Sequence, residues 1–318
     1  VARQTYEAWL SEERDSRVLR AIATNSVIES VARRLPMTTN EKSFPRSGDM
    51  DVDVIPKGTA YGEDVSAVSE VILVAKKLGR AVRIAEEDID DSIIDLINDK
   101  KIAWANAYAK KLDNACLGVN AAVGTGVPFP SVYRAVTTAD ADTGYAANAN
   151  HMFVNTASVG YDDFSELLAL GEASDFYADG SMLWIMHPTF KAELRGIKDN
   201  DGNPIFTQGN MVARQADTLF GIPIRWSKGA VVTTTATTAP PAPVAGAAKG
   251  TAGNRLAILA NPEMLMLGVR SGPESVVIDG RDGTSALTDE TLLKVRARRA
   301  FAPAYPAAFA VLEKARPA

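Results

Sequence analysis

The spacing of apolar residues changes several times along the chain, and each change predicts a different element. From Thr5 to Leu35, Trp9, Val18, Leu19, Ile22, Val27, Ile28 and Val31 recur at broken helical intervals among many charges. That spacing predicts an arm with one or two amphipathic helices, ending at Pro36. From Met37 to Ile84 the period shortens to two: Val52 and Val54, then Val65, Val71, Leu73 and Ala75, alternate with other side chains. Two long strands joined around Pro56, Gly58 and Gly62 fit this pattern, giving an extended hairpin with a broad tip.

Near Glu86 the period becomes helical again. Ile89, Ile93, Ile97, Trp104, Tyr108, Leu112 and Cys116 follow one another at intervals of four or seven. A single helix of about thirty residues ending near Gly118 would be roughly 45 Å long. Glu86, Glu87, Asp88, Asp90 and Asp91 crowd its start, and Lys110 and Lys111 lie near its end, as the helix dipole favours.

Residues from Gly118 to Asn155 are small and polar, with Gly124, Gly126, Pro128 and Pro130, and predict an irregular connection. A second compact unit follows. It offers a helix from Tyr161 to Ala173, an apolar strand Met182 to Met186, a short helix after His187-Pro188, and a polar turn from Lys198 to Pro204. A strand-like run, Gly221 to Trp226, precedes a Thr/Ala/Pro stretch, Val231 to Gly253, which reads as an exposed loop. Leu256 to Val269 is apolar. Leu292, Leu293, Val295 and Ala297 then alternate with Lys294, Arg296, Arg298 and Arg299, before an aromatic and proline-rich strand from Phe301 to Leu312. Segments of α+β character therefore precede and follow a central unit, and no internal repeat is evident.

Composition narrows the chemistry. With 318 residues, 46% of them apolar, the chain can bury a sizeable core, which excludes disorder. One cysteine, Cys116, excludes an internal disulfide, and only His151 and His187 are present as imidazoles. The uncharged stretch Gly229 to Ala248 contains Pro240, Pro241 and Pro243 and predicts no membrane helix. No secretory signal pattern is visible, and an opening on Val1 in place of methionine leads us to expect trimming. The histidines are too far apart for a zinc motif, and no cofactor-binding loop occurs: Gly124-Thr125-Gly126 runs into Val127, Pro128 and Phe129. Asp199, Asp201 and Asn203 beside Gly202 fail as a calcium loop, because Ile197 and Gln208 occupy its first and last ligand positions. A hydrolase using His187 with Asp199 or Asp201 lacks a nucleophile elbow, and a capping or packed histidine is the simpler reading. The net charge of -5 disfavours sequence-specific DNA recognition. What remains is a chain with long projecting elements and no catalytic constellation. A hairpin arm alone is marginally stable, so assembly would supply its partners.

The ordered segments resemble the major capsid proteins of tailed bacteriophages, the Hong Kong 97 fold shared with encapsulin shells. The resemblance runs through Val52-Asp53-Val54-Ile55-Pro56-Lys57 and back along Ser69 to Leu78, then Val82 to Ser92 at the entry to a spine helix. Leu112-Asp113-Asn114-Ala115 is similar to the family's D-x-A close of that helix. Trp184 to Thr189, the turn Lys198-Asp199 through Gly202-Asn203-Pro204, and Leu219-Phe220-Gly221-Ile222-Pro223-Ile224 resemble its later motifs. Nearly the whole chain is covered.

The resemblance implies an N-terminal arm (1–36), an extended hairpin loop (37–84), a peripheral domain with the spine helix (85–155 and 270–318) and an axial domain (156–269) carrying the Thr/Ala/Pro loop 231–253. It implies a structural subunit, not an enzyme, without cofactor, that forms hexamers and pentamers of an icosahedral head around double-stranded DNA. Scaffold, portal and decoration or cement proteins would be partners, no membrane would be, and the virion would be its location, with assembly in the host cytoplasm. An encapsulin-like compartment holding a cargo enzyme is the alternative, and a soluble hydrolase a third. Expected contacts between subunits are Val52, Val54, Lys57, Leu73, Glu86, Glu87, Asp88, Arg296, Arg298 and Arg299. Lys57 stands where one family member carries a crosslinking lysine, but no asparagine follows Asn261 to receive it. Non-covalent arms or cement proteins would then hold the shell.

Overall fold

A computed structural model describes residues 25–47, 52–61, 68–92, 95–155, 158–197, 217–278 and 289–316. Most of the predicted N-terminal arm and the polar turn Lys198 to Pro204, with Asp199 and Asp201, lie outside the described residues.

Three sheets organise the chain. The first joins β1 (Arg33–Pro36), β10 (Leu265–Ile278), β11 (Glu290–Pro303) and β4 (Lys76–Ala85) in that order, with β1 parallel to β10 and the rest antiparallel. The second has six strands in the order β5 (His151–Val154), β12 (Phe309–Lys314), β9 (Arg255–Ala260), β6 (Leu183–Met186), β8 (Ile222–Trp226) and β7 (Thr218–Leu219). The third is a lone antiparallel pair, β2 (Glu41–Ser47) with β3 (Val68–Val74).

The six-stranded sheet is buried on both faces, so β6, β9 and β12 are almost continuously apolar. Leu183, Ile185, Leu256, Ile258, Phe309 and Val311 share one core with helix α3 (Leu96–Leu117) and helix α4 (Val132–Thr137). On the opposite face Trp184, Met186, Ala257, Leu259 and Leu312 pack with helices α5 (Tyr161–Glu172) and α6 (Phe190–Gly196).

Several expectations are corrected by this arrangement. The long helix is interrupted: α2 (Glu86–Asp90) ends at Asp91, and α3 starts afresh with Asp95 accepting a bond from the Asn98 amide at 2.9 Å. At 22 residues α3 is about 33 Å long. The hairpin strands are 41–47 and 68–74, whereas Val52 and Val54 lie in its irregular tip, outside any strand. Residues 76–85 leave the hairpin to become an edge strand of the four-stranded sheet. The stretch expected to be an irregular connection contains α4, whose Val132, Tyr133 and Val136 are core residues. Chain 309–314 returns from the four-stranded sheet to stand between β5 and β9 in the six-stranded one, second from its edge. The Thr/Ala/Pro stretch is exposed only in part: Val231, Val232, Thr233 and Ala236 are buried over the end of α3.

Candidate assembly surfaces

The D-x-A close of α3 is a hub. Asp113 is buried and its carboxylate accepts from Ser26 Oγ (2.6 Å), Ser227 Oγ (2.7 Å) and the amides of Val27 (3.1 Å) and Ile28 (3.3 Å). Burial pushes its pKa up, and these four donors pull against that. It thereby holds the start of helix α1 (Val27–Val31) against the long helix. Ser26 and Glu29 have the S-x-x-E spacing of a capping box, and Ser26 Oγ does accept from the Glu29 amide at 3.2 Å. The Glu29 carboxylate is used elsewhere: Oε1 accepts from Arg299 Nε (2.9 Å), Arg299 Nη2 (2.8 Å) and Tyr108 OH (2.9 Å).

Beside it, Asn114 donates to the carbonyls of Gly229 and Val231, each at 3.1 Å, and accepts from Thr233 Oγ1 and the Thr237 amide. This fastening draws the Thr/Ala/Pro stretch inward. The approach is so close that a Cβ at Gly118 would stand 2.0 Å from the Val231 carbonyl oxygen, and one at Gly229 2.6 Å from the Asn114 amide nitrogen.

A second buried network centres on Glu313 in β12. Its carboxylate accepts from Asn254 Nδ2 (2.6 Å), Tyr133 OH (2.7 Å) and the Gly250 amide (2.7 Å), with His151 Nε2 at 3.1 Å. Burial alone would raise its pKa, yet the bonds outweigh it and the pKa ends below the usual carboxylate value. His187 is half-buried: its Nδ1 lies 2.8 Å from Thr189 Oγ1 and accepts from the Thr189 amide at 3.3 Å. Burial, with Arg255 and Lys228 nearby, lowers its pKa to about 3, so the ring is neutral. Among the described residues no cluster of three His, Cys, Asp or Glu could hold a metal, and no helix is long and apolar enough to cross a membrane.

Among the described residues, the hairpin is anchored at its base. Lys42, Phe44 and Arg46 of β2 point toward the body, while Val71 and Leu73 of β3 join Met37, Met266, Ala300 and Ala302 in a small core. Pro45 is tolerated because β2 is an edge strand. Arg46 is the polar anchor: its guanidinium donates to Ser69 Oγ (3.0 Å), Asp140 Oδ2 (3.0 Å) and the Ala304 carbonyl (3.1 Å), and stands over the Tyr305 ring. A groove of about 860 Å³ opens beside it, between Asp142, Tyr145, Asn150, Phe176 and Tyr305.

The predicted contact residues divide accordingly. Val52 and Val54, 94% and 98% exposed, and Lys57 sit at the tip beside Tyr61, which is 85% exposed. Glu86, Glu87 and Asp88 form the first turn of α2, with Glu87 and Asp88 exposed. Arg296 and Arg298 are half-buried on the outer side of β11, and Arg296 meets Glu274 at 3.0 Å. Two expectations are corrected. Leu73 is completely buried within its own chain, because β3 packs on β11, so it gains nothing from a neighbour. Arg299 points to the inner side of the sheet, where Glu29 holds it. Asp113, Asn114, Arg46 and Glu313 were missed as structural anchors. The S-x-x-E signal at Ser26 and the D-x-A motif at Asp113 were the sequence cues to this part of the fold, since the bonds that make these residues anchors join positions from 23 to 258 residues apart.

A sequence model described as the phage capsid family matches residues 8–314. A search of the curated proteins finds no match. Among solved structures, one from Microbacterium phage Oxtober96 has 19% identity and a TM-score of 0.65, covering 97% of each chain. Another, from Mycobacterium phage Ogopogo, has 16% identity and a TM-score of 0.68 over 99% of this chain and 100% of that one. A third, titled as the capsid of a native GTA particle, has 14% identity and a TM-score of 0.68 over 97% and 96%. These likenesses establish the α+β Hong Kong 97 fold, as the ordered motifs led us to expect. The family match extends over nearly the whole chain, and with the fold it leads to one conclusion: the chain belongs to the phage capsid family and is a major capsid structural protein of the virion.

Proposed function

We propose that this subunit forms hexamers and pentamers that close into an icosahedral head around double-stranded DNA, and that it works without catalysis. The observation that carries this reading is the hairpin tip: Val52, Val54 and Tyr61 are almost fully exposed on an arm whose described anchors lie at its base. Apolar groups of that kind gain burial only against another molecule, at roughly 25 cal/mol per Å². A repeating shell supplies that molecule for every copy. In this reading the four-stranded sheet with α2 and α3 is the peripheral domain, and the six-stranded sheet with α5 and α6 is the axial domain facing the capsomer axis. Packaged DNA is held without sequence readout, as suits a chain of net charge -5. Assembly takes place in the host cytoplasm. Scaffold, portal and cement proteins complete the particle, and the cement role follows from the missing asparagine partner for Lys57.

The test is to purify the chain and examine it by negative-stain microscopy and sedimentation. Closed shells or capsomer rings are the expected product. A stable, monodisperse monomer at high concentration, alone and with the scaffold of its own phage, would overturn the reading.

A further inference from the structure

The outer side of the four-stranded sheet is unevenly charged. In its regular ladder Lys77 stands opposite Arg298, Gly79 opposite Arg296, Ala81 opposite Lys294 and Arg83 opposite Leu292, so these residues share one side of the sheet. On β10, Glu274 faces Arg296, Val276 faces Lys294 and Ile278 faces Leu292. The hairpin base covers this side at Ala300 and Ala302, but from Arg298 to Leu292 the side chains stay partly exposed. Five cations, Lys77, Arg83, Lys294, Arg296 and Arg298, therefore stand against Glu274 and Glu290 in a chain whose total charge is negative. Glu274 engages Arg296 and Glu290 engages Arg83. No ion pair among the described residues engages Lys77, Lys294 or Arg298.

The complement lies on the same chain but out of reach. Glu86, Glu87, Asp88, Asp90 and Asp91 follow directly on Ala85, the residue of β4 that registers with Glu290. None of them is in an ion pair with a described residue. From Ala85 back along the extended strand it is about 13 Å to Ala81, which registers with Lys294, and about 26 Å to Lys77, at ~3.3 Å per residue. Both exceed the screening length of about 8 Å at physiological salt, so the two patches cannot neutralise each other within one subunit.

We propose that the basic sheet side around Lys77, Lys294 and Arg298 docks the acidic α2 segment of a second copy of this chain. The two patches differ and are set apart along β4, so the contact is head-to-tail, and each copy keeps a free patch of each sign for the next. Such a contact closes into a ring when its rotation permits. Val276 and Ile278, on the same side and still exposed, give the contact an apolar margin. The inference rests on the shell-forming reading and names the pairing that links its subunits.

The experiment is a charge swap in the full chain. The paired change Lys294→Glu with Arg298→Glu, and separately Glu87→Lys with Asp88→Lys, should each lower the assembled fraction about tenfold or more at low salt. Combining all four should restore assembly. Circular dichroism and melting of each variant exclude misfolding, since every position changed is at least partly exposed. Rescue by the combined variant supports the pairing. Undiminished assembly of the two singly reversed proteins overturns it, as does a combined variant that folds but stays unassembled. Shells of normal yield with less packaged DNA in the Lys294/Arg298 variant also overturn it and assign the patch to DNA. If the unmodified chain forms no oligomer at all, the shell-forming reading fails first; if only the swap has no effect, that reading stands and this interface alone falls.

Discussion

Glu313 and His187 give the single subunit an acid sensitivity in two pH windows that start at different values and overlap below about 4.5. His187 is held neutral by burial beside Arg255 and Lys228, with its pKa lowered from 6.5 to about 3. As pH falls below about 6.5, the unfolded chain binds a proton that the fold refuses, and stability declines until about pH 3. Glu313 has the opposite origin and a lower window. Its folded carboxyl lies below the usual 4.5, so its stabilising contribution is complete above that value and is lost as pH falls through the folded pKa. Heat denaturation at a series of pH values should show His187→Gln flattening the decline between about pH 6 and 4.5. Glu313→Gln should instead cost about 1–3 kcal/mol near neutrality, because an amide cannot accept from all four donors, and should flatten the curve only below about 4.5. Both histidines were visible in the sequence, and so was the absence of a zinc or triad motif around them. That His151 would meet Glu313, 162 positions away, was not, because local spacing carries no information about a contact between β5 and β12.

The hairpin shows what an element's own pattern encodes and what it omits. Its return strand was legible because Val71 and Leu73 alternate with exposed residues. Its outgoing strand, Glu41–Ser47, was not, since of the three side chains it turns inward only Phe44 is apolar. Lys42 and Arg46 use aliphatic stems in place of apolar surface, Lys42 donating to the Pro36 carbonyl and Arg46 pairing with Asp140. Arg46 therefore decides whether the arm is fixed to the body or hinges. Arg46→Ala should speed amide exchange about tenfold or more in 41–47 and 68–74, while β9 and β12 in the core remain protected. Unchanged exchange in the hairpin would show that the Leu73 cluster holds it alone. The long helix makes the complementary point: its apolar stripe was readable through Tyr108, Leu112 and Cys116, all buried. Its interruption was hidden, because Asp95 reads equally well as an exposed helical residue or as the cap it turns out to be.

At the scale of the whole molecule, two packed sheets carry the subunit, and the described tip residues Val52, Val54 and Tyr61 project from them almost fully exposed. Deleting Val52 to Gly62 should leave a soluble, folded chain, since Val52, Val54 and Tyr61 contribute almost nothing to its own core. Sedimentation and microscopy should then show subunits that no longer close into shells. Normal shells from this deletion would mean that the tip clasps no neighbour.

The sequence by itself determined the class of fold and the order of most of its elements. Periodicity and punctuation by proline and glycine are local, and a family's short motifs keep their order even when identity is low. Tertiary structure decided where the last strand inserts, that the Thr/Ala/Pro stretch folds inward onto Asn114, and that Leu73 and Arg299 are consumed inside the subunit while Arg298 faces out. Those outcomes depend on pairings between residues far apart in the chain. Adjacent positions of one strand, such as Arg298 and Arg299, acquire opposite fates only when something packs on one side of the sheet.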